Sequence, residues 1–135
     1  FYGAGKEDES REEPFVLIGD EPPILLGDNA APNAVETVLH GLASCLAVGI
    51  AYNAAVRGIE IESLAFDLEG DADLRAFLGI TDAVRPGFQD VRVKYRIESD
   101  ASQEELEELC EYVQQTSPVV DMLRNPVPVE ISVES

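Results

Sequence analysis

Between about Asn33 and Arg57 the sequence reads as one long helix that is apolar almost all the way round. Leu42, Cys45, Gly49, Tyr52 and Val56 recur at three- and four-residue steps and make one face, and Ala and Val residues fill its flanks. A helix with no polar side must be covered by a core or by another subunit. Residues 38–56 need more cover than one small domain easily supplies. Gly58 stops the helix after Arg57, whose charge suits a helix C-terminus.

Strand patterns flank this helix. Phe15–Ile18 and Ile24–Leu26 are predicted as short strands around the turn at residues 19–23. Ile59 to Glu69 alternates with one phase slip, which predicts a β-bulge near Ser63. Asp71 to Gly79 reads as a short helix capped by Asp71. Val91, Val93, Tyr95 and Ile97 alternate with Arg92, Lys94 and Arg96, the pattern of a half-buried strand. Ser102 and Glu105 form a capping box that opens a helix with the stripe Leu106, Leu109, Cys110, Val113. Ser117-Pro118 is the cap and first residue of another short helix. Val127, Val129, Ile131 and Val133 predict a last strand. The order is α+β. One domain is expected over residues 1–135, with residues 1–13 a loop or a truncated N-terminal part.

Charge and composition exclude several classes. The 135 residues carry a formal net charge of −18, and the only lysines are Lys6 and Lys94. Such a surface repels phosphate backbones and anionic lipids, so neither nucleic acid nor membrane is an expected partner. It suits a well-solvated acidic surface, or a high-salt environment. No run of about 18 apolar residues suggests a membrane span. No secretory signal is visible, although the chain opens at Phe1 and not at Met, as if upstream residues were missing. Two cysteines and one histidine, with no Cys-x-x-Cys pair, predict neither a metal site nor a cofactor. So few cysteines fit a reducing cytoplasm.

The segment Ala31-Pro32-Asn33-Ala34-Val35-Glu36 through His40-Gly41-Leu42-Ala43-Ser44-Cys45 resembles the signature of the OsmC and organic-hydroperoxide-resistance (Ohr) superfamily. There a proline and a glutamate precede small and apolar residues that end in cysteine. Residues 54–59, 69–74, 77–79, 117–119 and 125–129 resemble later family segments in the same order. The resemblance implies sheet strands around a long central helix. It also implies an intertwined homodimer with a pocket at each side of the interface.

The resemblance further implies that Cys45 is a peroxidatic thiol, acting on an organic or lipid hydroperoxide and reset by a thiol reductant. The chemistry needs the thiolate, of which a free thiol supplies only a few per cent at neutral pH. An arginine beside it raises that fraction, and a glutamate can orient both. Arg11 and Glu36 are the candidates. Arg11 is otherwise a surface arginine, and Glu36 otherwise favours the helix N-terminus by its charge. Tyr52 lies two turns from Cys45 on the same face and lines a pocket or fills the core. His40, about 140° round the helix from Cys45, reads as an interface residue rather than a base.

Two departures from the peroxidases stand out. Their glutamate falls in the register of Val35; Glu36 matches a less characterised OsmC-like branch. Nine residues turn a helix by about 180°, so Glu36 and Cys45 meet only if the helix starts late or kinks, for which Gly41 offers a place. Their second cysteine precedes a proline, and here that position is Ser117, which cannot close a disulfide. Cys110 lies about 10 Å away along a continuous helix and reads as packing. The expected function is a one-cysteine peroxidase resolved by an external thiol. The alternative is a non-catalytic protein holding a small apolar ligand in the dimer pocket.

Overall fold

The computed structural model of this chain describes residues 10–134. In order they form a 3₁₀ turn (Pro23–Leu25), helix α1 (Ala34–Arg57), strand β1 (Ser63–Ala72), helix α2 (Leu74–Phe77), strand β2 (Phe88–Glu98), helix α3 (Gln103–Thr116) and helix α4 (Pro118–Arg124). The chain divides into two compact units, one ending at Val38 and one starting at Leu39. The expectation for residues 1–13 falls mainly on 1–9, outside the described residues.

In the first unit a single carboxylate organises the loop before α1. Asp20 accepts the backbone N–H groups of Glu21 (2.8 Å), Asp28 (3.2 Å) and Ala30 (2.8 Å). The donors from Ala30 and Glu21 hold its carboxyl below the usual carboxylate range. The loop is tight enough that a Cβ on Gly27 would lie 1.9 Å from the Glu21 carbonyl oxygen. The two strands predicted here do not form. Residues 15–18 have no regular structure and expose their side chains, and Pro22-Pro23 turns the next segment into the 3₁₀ turn. A strand needs a partner for its backbone groups, and the ladder among the described residues is β1 with β2 alone.

In the second unit α1 provides the floor of the core. Leu42, Leu46, Ile50 and Ala54 repeat at every fourth residue and are buried with Leu109 and Val113 of α3 and Val120 of α4. Burying each of the larger side chains is worth about 1.5–3 kcal/mol. β1 and β2 pair antiparallel, with Leu64 opposite Ile97, Phe66 opposite Tyr95 and Leu68 opposite Val93. These residues lean on the same cluster, and the Phe66 and Tyr95 rings meet edge to face at 5.3 Å. The opposite face of the strand pair is an ion-pair ladder. Arg92 reaches Asp71 (2.6 Å), Asp90 (2.8 Å) and Glu69 (3.2 Å), and Arg96 holds Asp67.

Three local expectations change. The bulge sits between Asp71 and Ala72 rather than near Ser63. Ile59 and Ile61 precede the strand and pack on the core as the chain leaves α1, so the phase slip is the approach to β1. Asp71 stays in the sheet, held by Arg92, and Asp73 caps α2 instead, accepting the Arg75 N–H at 3.0 Å. Residues 127–133 form no strand, and Val129, Ile131 and Val133 are exposed.

The other boundaries follow the sequence signals. Gly58 leaves α1 with φ +71°, and the Ser102–Glu105 capping box opens α3. The charge of Arg57 lies over the Tyr112 ring at 5.2 Å and ties the end of α1 to α3. Among the described residues α1 is the one helix long and apolar enough to cross a membrane, although its sequence holds no unbroken apolar run of that length. Thr37, His40, Ser44 and Asn53 interrupt that run. One stripe of the helix is in the core, while Val48, Tyr52 and Val56 leave a second apolar stripe exposed within the chain.

Candidate functional site

Cys45 lies at the border between those two stripes. Leu42 and Leu46 beside it are buried, Val48 is exposed, and the thiol itself is half-buried. Ser117 is brought to it from the other end of the unit. Pro118 disfavours continuation of α3, so the chain turns extended at Ser117 (φ −74°, ψ 120°) and α4 begins with the proline. The Ser117 hydroxyl accepts the Val120 N–H at 3.3 Å, and the residue is only 5% exposed. Its Oγ stands 3.1 Å from Cys45 Sγ.

A hydroxyl has one hydrogen and two acceptor positions. Val120 uses one acceptor position of Ser117. The hydroxyl hydrogen can therefore donate to a thiolate at Cys45, or the remaining lone pair can accept from its S–H. Gly49, one turn beyond Cys45, sets how close α3 comes. A Cβ there would sit 2.7 Å from Val113 Cγ1. The absence of a side chain at 49 thus lets α3, and Ser117 at its end, approach α1. The small residues Ala43, Ser44 and Gly49 are the sequence signal that permits such close packing, and the contact falls at Gly49.

The other expected residues Glu36, Arg11 and His40 each have partners of their own. Glu36 belongs to the first unit and is inside α1, because the helix already begins at Ala34. Its carboxylate accepts the Asn33 N–H at 2.8 Å while Asn33 Oδ1 accepts the Glu36 N–H at 2.9 Å. That reciprocal cap is the helix-end role. Arg11, also in the first unit, lies over the Phe15 ring at 4.5 Å. His40 is exposed, with Nε2 3.4 Å from Ser44 Oγ. Tyr52 is 70% exposed on the uncovered stripe of α1 and does not fill the core.

Cys110 sits on the continuous α3 helix, packed against the core, and burial pushes its thiol up. It faces a groove of about 630 Å³ lined by Tyr95, Ile97 and Leu106 and edged by Glu107 and Glu111. Burial likewise pushes the Tyr95 phenol up, with a further upward contribution from Cys110.

A long apolar helix under an antiparallel strand pair, with a cysteine midway along it and a serine against that cysteine, defines an α+β protein of the OsmC/Ohr fold. Solved structures share it. An OsmC-like protein from Mycoplasma pneumoniae superposes with a TM-score of 0.67 at 19% identity, over 78% of this chain and 70% of that one. An organic hydroperoxide resistance protein, OsmC, from Legionella pneumophila gives 0.60 at 24% identity, over 78% and 71%. An OsmC-like protein of unknown function from Vibrio cholerae gives 0.64 at 12% identity, over 78% and 70%. No curated sequence matches the chain. The family model of the OsmC-like proteins matches residues 27–132, and the chain belongs to that family.

Proposed function

We propose that this protein reduces organic hydroperoxides at Cys45 and is reset by an external thiol. Family membership supports a role in redox and stress chemistry. The observation that carries the finer reading is the half-buried Cys45 thiol with a buried hydroxyl 3.1 Å away. The thiolate attacks the O–O bond of ROOH; with one proton taken up, the products are Cys45–SOH and ROH. Serine at 117 offers no internal sulfur. A thiol R′SH therefore displaces water to give Cys45–S–S–R′, and a second R′SH releases R′S–SR′ and the Cys45 thiol.

The same reading places the protein as a homodimer in a reducing compartment. The exposed stripe Val48, Tyr52, Val56 and the exposed residues Val129, Ile131 and Val133 support a second copy as their cover. Serine at 117 also favours a second reading, in which the protein binds a small apolar ligand without chemistry.

The test is intact-mass spectrometry of the reduced protein treated with cumene hydroperoxide and a sulfenic-acid trap. Rapid trapping confined to Cys45 is expected. No adduct at Cys45, in protein shown to be folded, would leave the ligand-binding reading standing.

A further inference from the structure

We propose that Ser117 is a positioning residue for Cys45: its hydroxyl donates to the sulfur, favours the thiolate and holds it in one orientation. This deepens the reading of Cys45 as the reactive thiol and rests on it. Three observations carry the proposal. The Ser117 oxygen is fixed independently of Cys45, because it accepts the Val120 N–H as the cap of α4. That bond occupies an acceptor position and leaves the hydrogen free to donate. Sγ lies 3.1 Å away, and at 5% exposure Ser117 has little water to compete for that hydrogen.

A hydrogen bond given to the charged form of a group stabilises that form. The effect is largest where water is excluded. A cap alone would need neither the burial nor the sulfur. In this arrangement one hydroxyl serves both the helix start and the thiolate. The position that would otherwise suit a second sulfur becomes a donor to the first.

The experiment is alkylation of Cys45 by iodoacetamide in the whole reduced chain, followed by peptide mass spectrometry from pH 5 to pH 10. It compares the natural protein with Ser117→Ala and Ser117→Thr. Ser117→Ala should slow alkylation at neutral pH on the order of tenfold, the size expected from losing a hydrogen bond to a charged group. The two proteins should converge at pH 10. Ser117→Thr, which keeps the hydroxyl, should retain the natural profile. Superimposable profiles for the natural protein and a folded Ser117→Ala would overturn the proposal.

Ser117→Cys gives a second readout that does not depend on the stability of the alanine variant. Diamide should link residues 45 and 117, seen as a loss of about 2 Da and of both alkylation sites. Failure to form that link would also overturn it. No hydroperoxide enters either measurement. A protein that fails to react with hydroperoxides would sink the peroxidase reading while these results still decide the role of Ser117.

Discussion

Cys45 Sγ and Ser117 Oγ meet at 3.1 Å although 72 positions of sequence separate them. The meeting depends on which face α1 turns inward, on α3 stopping before Pro118, and on Gly49 leaving room for Val113. The site is thus a product of helix packing rather than of a loop.

Gly49→Ala should disturb that packing. The added Cβ meets a buried, β-branched side chain at 2.7 Å, and such overpacking costs about 1–3 kcal/mol. Urea denaturation should show the loss, and adding Val113→Ala should recover part of the strain. If Gly49→Ala alone leaves the midpoint unchanged, α3 is not held against α1 by this contact.

Cys45→Ser should abolish hydroperoxide consumption, measured by an iron–dye assay with dithiothreitol as reductant. Cys110→Ser should keep most of the activity, because its thiol is pushed up by burial and packs on the core. A large loss in Cys110→Ser, with a 45–110 disulfide in the oxidised natural protein, would make Cys110 the resolving residue.

Acid should destabilise the fold in a defined window. The carboxyls of Asp20, Asp71 and Glu105 are held below their usual range by the Ala30 N–H, the Arg92 guanidinium and the Ser102 N–H respectively. Asp73 is lowered to about 2, first by the Arg75 side chain and then by its N–H. A lowered folded-state value means that the stabilisation is complete above about pH 4, the usual carboxylate value, and is lost as pH falls toward 2. Urea midpoints should be level near neutrality and drop between about pH 4 and pH 2. Asp73→Asn keeps a capping side chain but cannot titrate, so its drop should be shallower. An equal slope in that variant would show that Asp73 contributes nothing to the acid transition.

A second copy should cover the outer stripe of α1. Val56 is 87% exposed within the chain, so Val56→Asp should leave each subunit folded while shifting the protein toward monomer in sedimentation velocity. Unchanged sedimentation, with unchanged circular dichroism, would exclude this stripe as the interface.

How far these features can be read from sequence depends on the range of the forces behind them. The limits of α1, the Gly58 stop, the Ser102–Glu105 box and the Ser117-Pro118 break are local, set by capping groups and proline within a few residues. They read correctly. Residues 15–18 and 127–133 carry strand patterns but have no partner strand among the described residues. A pattern states which face wants cover, not who supplies it. Asp71 has the sequence context of a helix cap, but Arg92, twenty-one positions on, holds it in the ladder. At the site, Cys45 was legible from the family signature. The second role of Ser117 was not, since a serine before proline looks the same whether or not a thiol stands beside its oxygen.

Serine at 117 also rules out one covalent link, that between residues 45 and 117. A sulfur there could close a ring through residues 45 and 117, and a ring of that length would stabilise the fold by about 4 kcal/mol whenever it was shut. A catalyst built that way is tougher when oxidised than when reduced. With a hydroxyl in that place no ring can close through residues 45 and 117, so this contact does not tie resistance to unfolding to oxidation.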